Sequence, residues 1–333
     1  MSANRTSFVG QAGVALGKAM LSCLMFLFGD LSPRGKRFWA NVFFVLSWPF
    51  LWRKRRVTSA NLAVAFPEKS DAERRRIARA SIMHLILLGF DWLHQLKHPH
   101  ECTKNLEVSE EYRRDCSALN PNSRCQAALY CTLHLGNWEA LSRISYVTGR
   151  PGAVVVARFK IDWLNQLSER LRTSGDGTKV IPAEGAARGV LRALLSGLNV
   201  GILIDQNVSP RKGGIFQNFF GLPATVSRLP AVIARKLQIP VYVCSCIRHD
   251  DGIFRTEYAM LEKNAWEFES DETLTAAIYR AYEELIKRHP EQYLWSYNRW
   301  RAIPANASDE LAAKYPFYAS RKKFDCPPNL LEK

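Results

Sequence analysis

The stretch ALYCTLHLGNWEAL, residues 128–141, decides the fold. A continuous apolar run of strand length ends at His134, then Gly136 and Asn137 break it, and Trp138-Glu139 open a helical stretch. Such a run reads as a buried strand, with Gly136 as a flexible corner and Asn137 as an N-cap. The pattern repeats along the chain. Strands are predicted at 127–133, 153–157, 179–181, 200–204, 241–247 and 254–261. Helical stretches fall between them near 138–148, 161–174, 186–197, 226–238 and 271–289. Strands alternating with helices of about a dozen residues predict an α/β layered domain, its central sheet largely parallel or mixed and flanked by helices.

His134 then lies at the carboxyl end of a strand, where ligands bind in open α/β sheets. Residues five apart point about 140° from each other on an ideal helix, so His134 and Glu139 do not share a helix face. With His134 before the helix and Glu139 in its first turn, the chain can fold back and join them. A carboxylate on one imidazole nitrogen fixes the tautomer and leaves the other nitrogen as general base for a hydroxyl. No Ser or Cys nucleophile stands beside the pair, which suits direct transfer to a bound hydroxyl. As a spacing alone, His-x4-Glu recurs often by chance.

The 333 residues carry 46 Lys and Arg against 31 Asp and Glu, a formal charge of +15. That excess suits an anionic surface, and its placement is uneven. Residues 1–60 hold nine basic side chains and one acid, Asp30, within an apolar and aromatic segment. Basic plus apolar points to a membrane surface. No zinc-finger, RNP-like or basic heptad pattern supports nucleic acid, which ranks last among the partners. Residues 8–28 are long enough to span a bilayer, but Lys18 sits at their midpoint. Residues 38–52 contain three tryptophans and Pro49 in only 15 positions, which favours the interface. Arg53-Lys54-Arg55-Arg56 follows and would meet anionic headgroups. The segment reads as a helical membrane anchor, either one span or a surface-lying helical pair; a buried helical subdomain is the alternative. No small-x-small cleavage site favours a signal peptide.

Ser70 and Glu73 form a capping box that opens a helix reaching about residue 96. His84, His94, His98 and His100 lie near that helix and the loop after it, and read as solvated or capping side chains; no metal site is expected. The eight cysteines lack a disulfide framework and read as reduced, largely buried thiols. The boundaries drawn are 1–56 for the anchor, 57–320 for the α/β domain and 321–333 for a C-terminal tail.

Several pieces, in order, resemble the late lipid A acyltransferases, the lauroyl- and myristoyltransferase family within the wider His-x4-Asp/Glu glycerolipid and lysophospholipid acyltransferases. These are Asn61-Leu62 with Ala65-Phe66-Pro67 and Glu73-Arg74; HLGNWE itself; VVVARFK with Arg158; Asp205-Gln206; Phe220-Gly221-Leu222-Pro223-Ala224-Thr225; and Pro290-Glu291-Gln292-Tyr293-Leu294-Trp295 before Arg299-Trp300. They cover roughly residues 55–301. Phe159 replaces the family's usual Pro, and Val226-Ser227-Arg228 lacks its usual Gly, which leaves the acceptor and acyl chain open. The resemblance implies an O-acyltransferase with His134 as base and Glu139 as its partner. It further implies Arg158 near the acceptor's phosphate or headgroup, Asp205 and Gln206 lining the cleft, and residues 220–225 as a loop shaping the acyl pocket. Backbone amides near Gly136 and Asn137 are expected to meet the oxyanion. The donor would be acyl carrier protein or acyl-CoA, with no metal or redox cofactor. The acceptor would be a lipid A precursor, and the site the cytoplasmic face of a Gram-negative inner membrane. Two readings stay open beside it: another amphiphile such as a lysophospholipid as acceptor, and a non-enzymatic basic membrane-binding protein.

Overall fold

In a computed structural model, described for residues 8–99, 101, 104–115, 120, 123, 125–173 and 178–331, the strand predicted at 127–133 is β2 (Leu129–Gly136) and lies at the centre of a seven-stranded sheet. Before it come four helices, α1 (Phe8–Phe28), α2 (Pro33–Ser47), α3 (Trp52–Ala65) and α4 (Asp71–Lys97), with α1, α2 and α3 each packed on α4. The short strand β1 (Leu106–Glu107) and helix α5 (Glu110–Asp115) lead towards β2. After β2 the helices and strands alternate: α6 (Trp138–Leu141), α7 (Ile144–Thr148), β3 (Gly152–Val156), α8 (Asp162–Thr173), β4 (Lys179–Pro182), α9 (Ala186–Leu195) and β5 (Asn199–Leu203). A separate hairpin follows, β6 (Gly214–Phe219) and β7 (Leu222–Ser227), then α10 (Leu229–Leu237), β8 (Val241–Arg248), β9 (Phe254–Ala259) and α11 (Asp271–Arg288). The chain closes with β10 (Ala302–Ile303), α12 (Asp309–Ala313) and β11 (Ser320–Arg321).

The sheet order is β1-β9-β8-β2-β5-β3-β4. Strands β8, β2, β5, β3 and β4 are mutually parallel, while β9 runs antiparallel to β8, so the sheet is mixed. Successive side chains on a strand face opposite sides. On β2, Cys131, Leu133 and Leu135 point into the main core with Tyr279 and Tyr282 of α11. Tyr130, Thr132 and His134 point the other way, into a cleft. This alternation is why an apolar run can carry a functional histidine: one face is packed solid, the other lines a cavity.

The capping box at Ser70 forms as predicted, with Ser70 N–H donating to Glu73 Oε2 at 2.8 Å and Glu73 N–H to Ser70 Oγ at 3.3 Å. The N-terminal expectation needs correction. Among the described residues no helix is long and apolar enough to cross a membrane. The run 38–52 is not one element either; α2 ends at Ser47, and α3 starts at Trp52 beyond Pro49. Of the surveyed histidines, His84 is neither solvated nor a cap. It is buried on α4, its Nε2–H donating to the Gly136 carbonyl at 3.1 Å. His94 Nδ1 meets the Gly29 carbonyl at 2.7 Å and His98 Nε2 meets Asp30 at 2.6 Å, tying α4 to the end of α1; His100 lies outside the described residues. The six described cysteines are free thiols, and five of them are buried.

The sequence blocks that lie far apart pack together. Asn61 on α3 donates to the carbonyls of Trp295 and Tyr297, both at 2.7 Å. Phe66 stacks edge-on against Phe220 and Trp295, and Arg74 holds the Phe66 carbonyl at 3.1 Å. Residues 220–225 are thus a turn and the start of a strand rather than a loop, and none of them lines the cleft. Phe220-Gly221 is the turn of the β6–β7 hairpin, which buries Phe219 against Trp300 and Tyr279 on the core side. The reason is the pairing of Phe219 with Leu222, which needs left-handed backbone at both turn residues and sends the apolar side chains inward.

Candidate active site

His134 is fixed from three directions. Its backbone N–H donates to Asp205 Oδ2 at 3.1 Å, its carbonyl accepts from Leu294 N–H at 3.0 Å, and its Nδ1 meets Asp205 Oδ1 at 2.8 Å. Asp205 lies just past the end of β5, the parallel neighbour of β2, so adjacent strand ends bring the two residues together. With both Asp205 oxygens accepting, the tautomer carries its proton on Nδ1, and the Nε2 lone pair faces the cleft. The side-chain nitrogen of Gln206 sits 3.4 Å from Nε2, at the long end of hydrogen-bonding reach. Trp138 packs edge-on against the imidazole, with ring centroids 5.0 Å apart.

Electrostatics favour a protonatable histidine here. Burial alone would push the His134 pKa down, but the charge of Asp205, its hydrogen bond and the more distant charge of Glu139 raise it on balance. Burial alone would raise Asp205; the His134 charge and hydrogen bonds, with Arg299 behind them, hold it below the ordinary carboxylate range.

The expected partner of His134 is engaged elsewhere. Glu139 forms a bidentate pair with Arg172 of α8, at 2.7 and 2.8 Å to Nη2 and 3.1 Å to Nε. Residues 134 and 139 do flank one cleft, as the fold-back argument requires. The carboxylate on the imidazole, however, comes from Asp205. The helix opening at Trp138 aims Glu139 across the cleft towards α8, whereas Asp205 reaches Nδ1 from the neighbouring strand end.

Gly136 and Asn137 act structurally. Gly136 has φ +64°, and a Cβ there would lie 2.0 Å from the Cys246 carbonyl oxygen. Asn137 caps α6 through Ala140 N–H at 3.1 Å, and its own N–H donates to the Cys246 carbonyl at 2.6 Å. That amide is thus committed and does not point at an oxyanion. Arg158 is exposed on the lip beyond β3, between Ala157 and Phe159, both of which line the cleft.

The cleft encloses about 520 Å³. It runs along the sheet from His134 and Gln206 at the strand ends to Tyr130 and Asn199 near their beginnings. Its middle is walled by Leu141, Ile144, Val154, Gly201, Leu203 and Cys244, an apolar channel behind a polar mouth. Two arginines escape sequence reasoning about the site. Arg172 is buried and clamps Glu139, while Arg299, only 2% exposed, holds Asn207 Oδ1 at 2.7 Å and the Thr225 carbonyl at 3.0 Å behind Asp205-Gln206. Arg299 is visible in the sequence only as part of the Arg299-Trp300 block. Arg172, on an otherwise ordinary amphipathic helix, gives no signal. Tyr282 OH and Tyr279 OH, both on α11, hold the carbonyls of Thr132 and Ile204 and so pin the middle of β2 and the end of β5.

Comparison with known proteins gives this arrangement a context. Residues 16–302 match the profile of the bacterial lipid A biosynthesis acyltransferases. The chain is 26% identical over 274 residues to the lipid A biosynthesis palmitoleoyltransferase of Escherichia coli (strain K12), covering 78% of this chain and 83% of the relative. The same figures hold for a lipid A biosynthesis acyltransferase of Shigella flexneri. The lipid A biosynthesis lauroyltransferase of Escherichia coli (strain K12) is 24% identical over 260 residues, 77% of this chain and 81% of that one. With most of its length matched, and with a histidine–carboxylate pair at the mouth of an apolar channel, this chain is an acyltransferase and belongs to the bacterial lipid A biosynthesis acyltransferases.

Proposed function

We propose that the protein transfers a fatty acyl group from the thioester of an acyl carrier protein, or of CoA, to a hydroxyl of a lipid A precursor, with His134 as general base. The observation that carries this is the 2.8 Å contact of His134 Nδ1 with buried Asp205, which leaves Nε2 facing a channel with apolar walls. The acceptor hydroxyl gives its proton to Nε2 as its oxygen attacks the thioester carbonyl. Collapse of the tetrahedral species breaks the C–S bond, and the imidazolium returns the proton to the leaving thiolate. Asp205 fixes the tautomer and stabilises the imidazolium; Glu139 adds a second negative charge nearby and, through Arg172, holds α6 against α8 across the channel mouth. Arg158, exposed on the lip, is the cation for the acceptor's phosphate. The chemistry calls on no metal or redox cofactor.

The acyl chain occupies the channel. From Tyr130 to His134 β2 advances about 13 Å, at ~3.3 Å per residue. A carbon–carbon bond of ~1.52 Å at ~111° advances about 1.25 Å, so roughly ten carbons fit that length.

The N-terminal helices rest on a bilayer surface without crossing it. Leu16, Met20, Phe26, Leu27, Phe38 and Phe50 are exposed apolar side chains along α1, α2 and the turn after α2. Trp163 of α8 packs beside Gly17 of α1, next to the loop that exposes Phe159 and Ile161 at the channel mouth. That continuity gives a lipid acceptor a route from the bilayer to His134, on the cytoplasmic face of a Gram-negative inner membrane. Incubation with defined thioesters and a lipid A precursor, read by the mass of the lipid product, tests the assignment. Product formation by folded His134→Ala at the wild-type rate would remove the base.

A further inference from the structure

Four arginines converge away from the channel, where α3 meets α4. Arg55, Arg56, Arg75 and Arg79 line a pocket of about 440 Å³ together with Trp48, Trp52 and Phe317. No Asp or Glu lines it, and among the described residues none of the four forms an ion pair within 4.0 Å. Their neighbour Arg74 does pair, with Asp71. Three of the four instead lie on aromatic faces. Arg55 is 3.8 Å and Arg79 5.7 Å from the Trp48 ring centroid, and Arg56 is 4.5 Å from that of Phe317. Arg55 also donates one N–H to the Trp48 carbonyl, at a long 3.4 Å. Guanidinia stacked in this way keep most of their in-plane N–H donors for a ligand while the aromatic rings hold them in place. Like charges gathered in a pocket that no carboxylate lines repel each other, although Asp71 acts on Arg75 from outside it, and a tetrahedral dianion or monoanion accepting several N–H bonds relieves that repulsion. The occupant is set by what surrounds the pocket. Trp52 and Phe50 are 58% and 83% exposed beside it, and they continue the apolar surface of α2. Tryptophan beside arginine belongs at the depth of lipid headgroups.

We propose that this pocket binds the phosphate of an anionic phospholipid headgroup and sets how the enzyme sits on the bilayer. The proposal rests on the membrane-surface reading above, and its test separates the two. Full-length protein is floated with vesicles of phosphatidylcholine alone and with vesicles that also contain phosphatidylglycerol. Arg75→Gln/Arg79→Gln, checked for an unchanged melting temperature, is expected to lose about 30-fold in affinity for the anionic vesicles, roughly 5-fold per arginine. Its binding to the neutral vesicles and its acyl transfer in detergent should match the wild type. Arg53→Gln/Lys54→Gln, equal in charge but outside the pocket, is expected to lose far less. Equal losses in the two double variants would mean a diffuse charged surface and overturn the pocket. So would displacement of the protein from anionic vesicles by inorganic phosphate at matched phosphorus concentration. An Arg75→Gln/Arg79→Gln defect confined to acyl carrier protein binding, with vesicle binding intact, would overturn it too, by making this a protein dock. If the wild type binds neither kind of vesicle, the membrane-surface reading itself falls.

Discussion

Replacing Asp205 with Asn asks which carboxylate serves His134. The variant keeps the size of the side chain and one acceptor. The amide oxygen of the substituted side chain would stay with the His134 backbone N–H, which Asp205 accepts at 3.1 Å, and its NH2 group would then face Nδ1. Donation to Nδ1 forces the proton onto Nε2, so the lone pair needed for the acceptor hydroxyl is lost. The imidazolium also loses its counter-charge. Unit charges about 4 Å apart attract by about 4 kcal/mol at an effective dielectric of ~20. At about 1.36 kcal/mol per tenfold, that is roughly three orders of magnitude in rate. The expected result for Asp205→Asn is a kcat lower by about 10³ with KM little changed, in single-turnover transfer from an acyl thioester. Its acidic pH limb should also move to lower pH, because Asp205 raises the His134 pKa in the wild type. Glu139→Gln, which loosens the pair with Arg172, should act mainly on KM and cost far less in kcat. Near-normal kcat in Asp205→Asn, together with a loss in Glu139→Gln as large as in His134→Ala, would refute the reasoning and restore Glu139 as the orienting group.

Three further outcomes follow from the same geometry. Burial lowers the His84 pKa to about 4 from its ordinary 6.5, the hydrogen bond to Gly136 only partly opposing it. Between those values the unfolded chain binds a proton that the folded chain refuses, so stability present above pH 6.5 is lost as pH falls towards 4. The loss is about 3 kcal/mol at about 1.36 kcal/mol per tenfold. Urea midpoints of wild type and His84→Gln should converge at acid pH, and parallel curves would contradict this. Gly201 lines the channel, and a Cβ there would make an ordinary 3.6 Å contact with Val154. Gly201→Leu should therefore fold but fill the channel, shifting the preference among acyl donors by several carbons towards shorter chains. Gly136→Ala combines left-handed backbone, about 1–2 kcal/mol, with a Cβ driven into the Cys246 carbonyl. It should lower the unfolding free energy by at least that amount in denaturant titration, and by more if β8 cannot move.

The residues most legible in the sequence are those whose role is local. Apolar runs bounded by Gly, Asn and Pro locate the six main strands, and Ser70-Glu73 marks the start of α4, because periodicity and capping depend on neighbours within a few positions. Strand order and hairpins are less so. The β6–β7 pair escapes because residues 220–225 read as a loop until Phe219 is seen packing on Trp300. The N-terminal segment is ambiguous through length: 21 residues of helix suffice to span, yet Lys18 and the glycines leave α1 short of the required apolarity.

By itself, then, the sequence determined that His134 would stand at the carboxyl end of a buried strand, with Glu139 in the helix that follows. Local propensity reaches that far. Which carboxylate meets the imidazole was decided only by the tertiary structure. Asp205 lies 71 positions away, and it arrives because β5 pairs in parallel with β2, Leu203 opposite Thr132, so that two residues beyond the strand Asp205 comes level with His134. Glu139, only five residues distant, is carried off by the direction of its own helix to Arg172 on α8. Hydrogen bonds are made by proximity in space, and in a parallel sheet the nearest strand end is rarely the nearest in sequence.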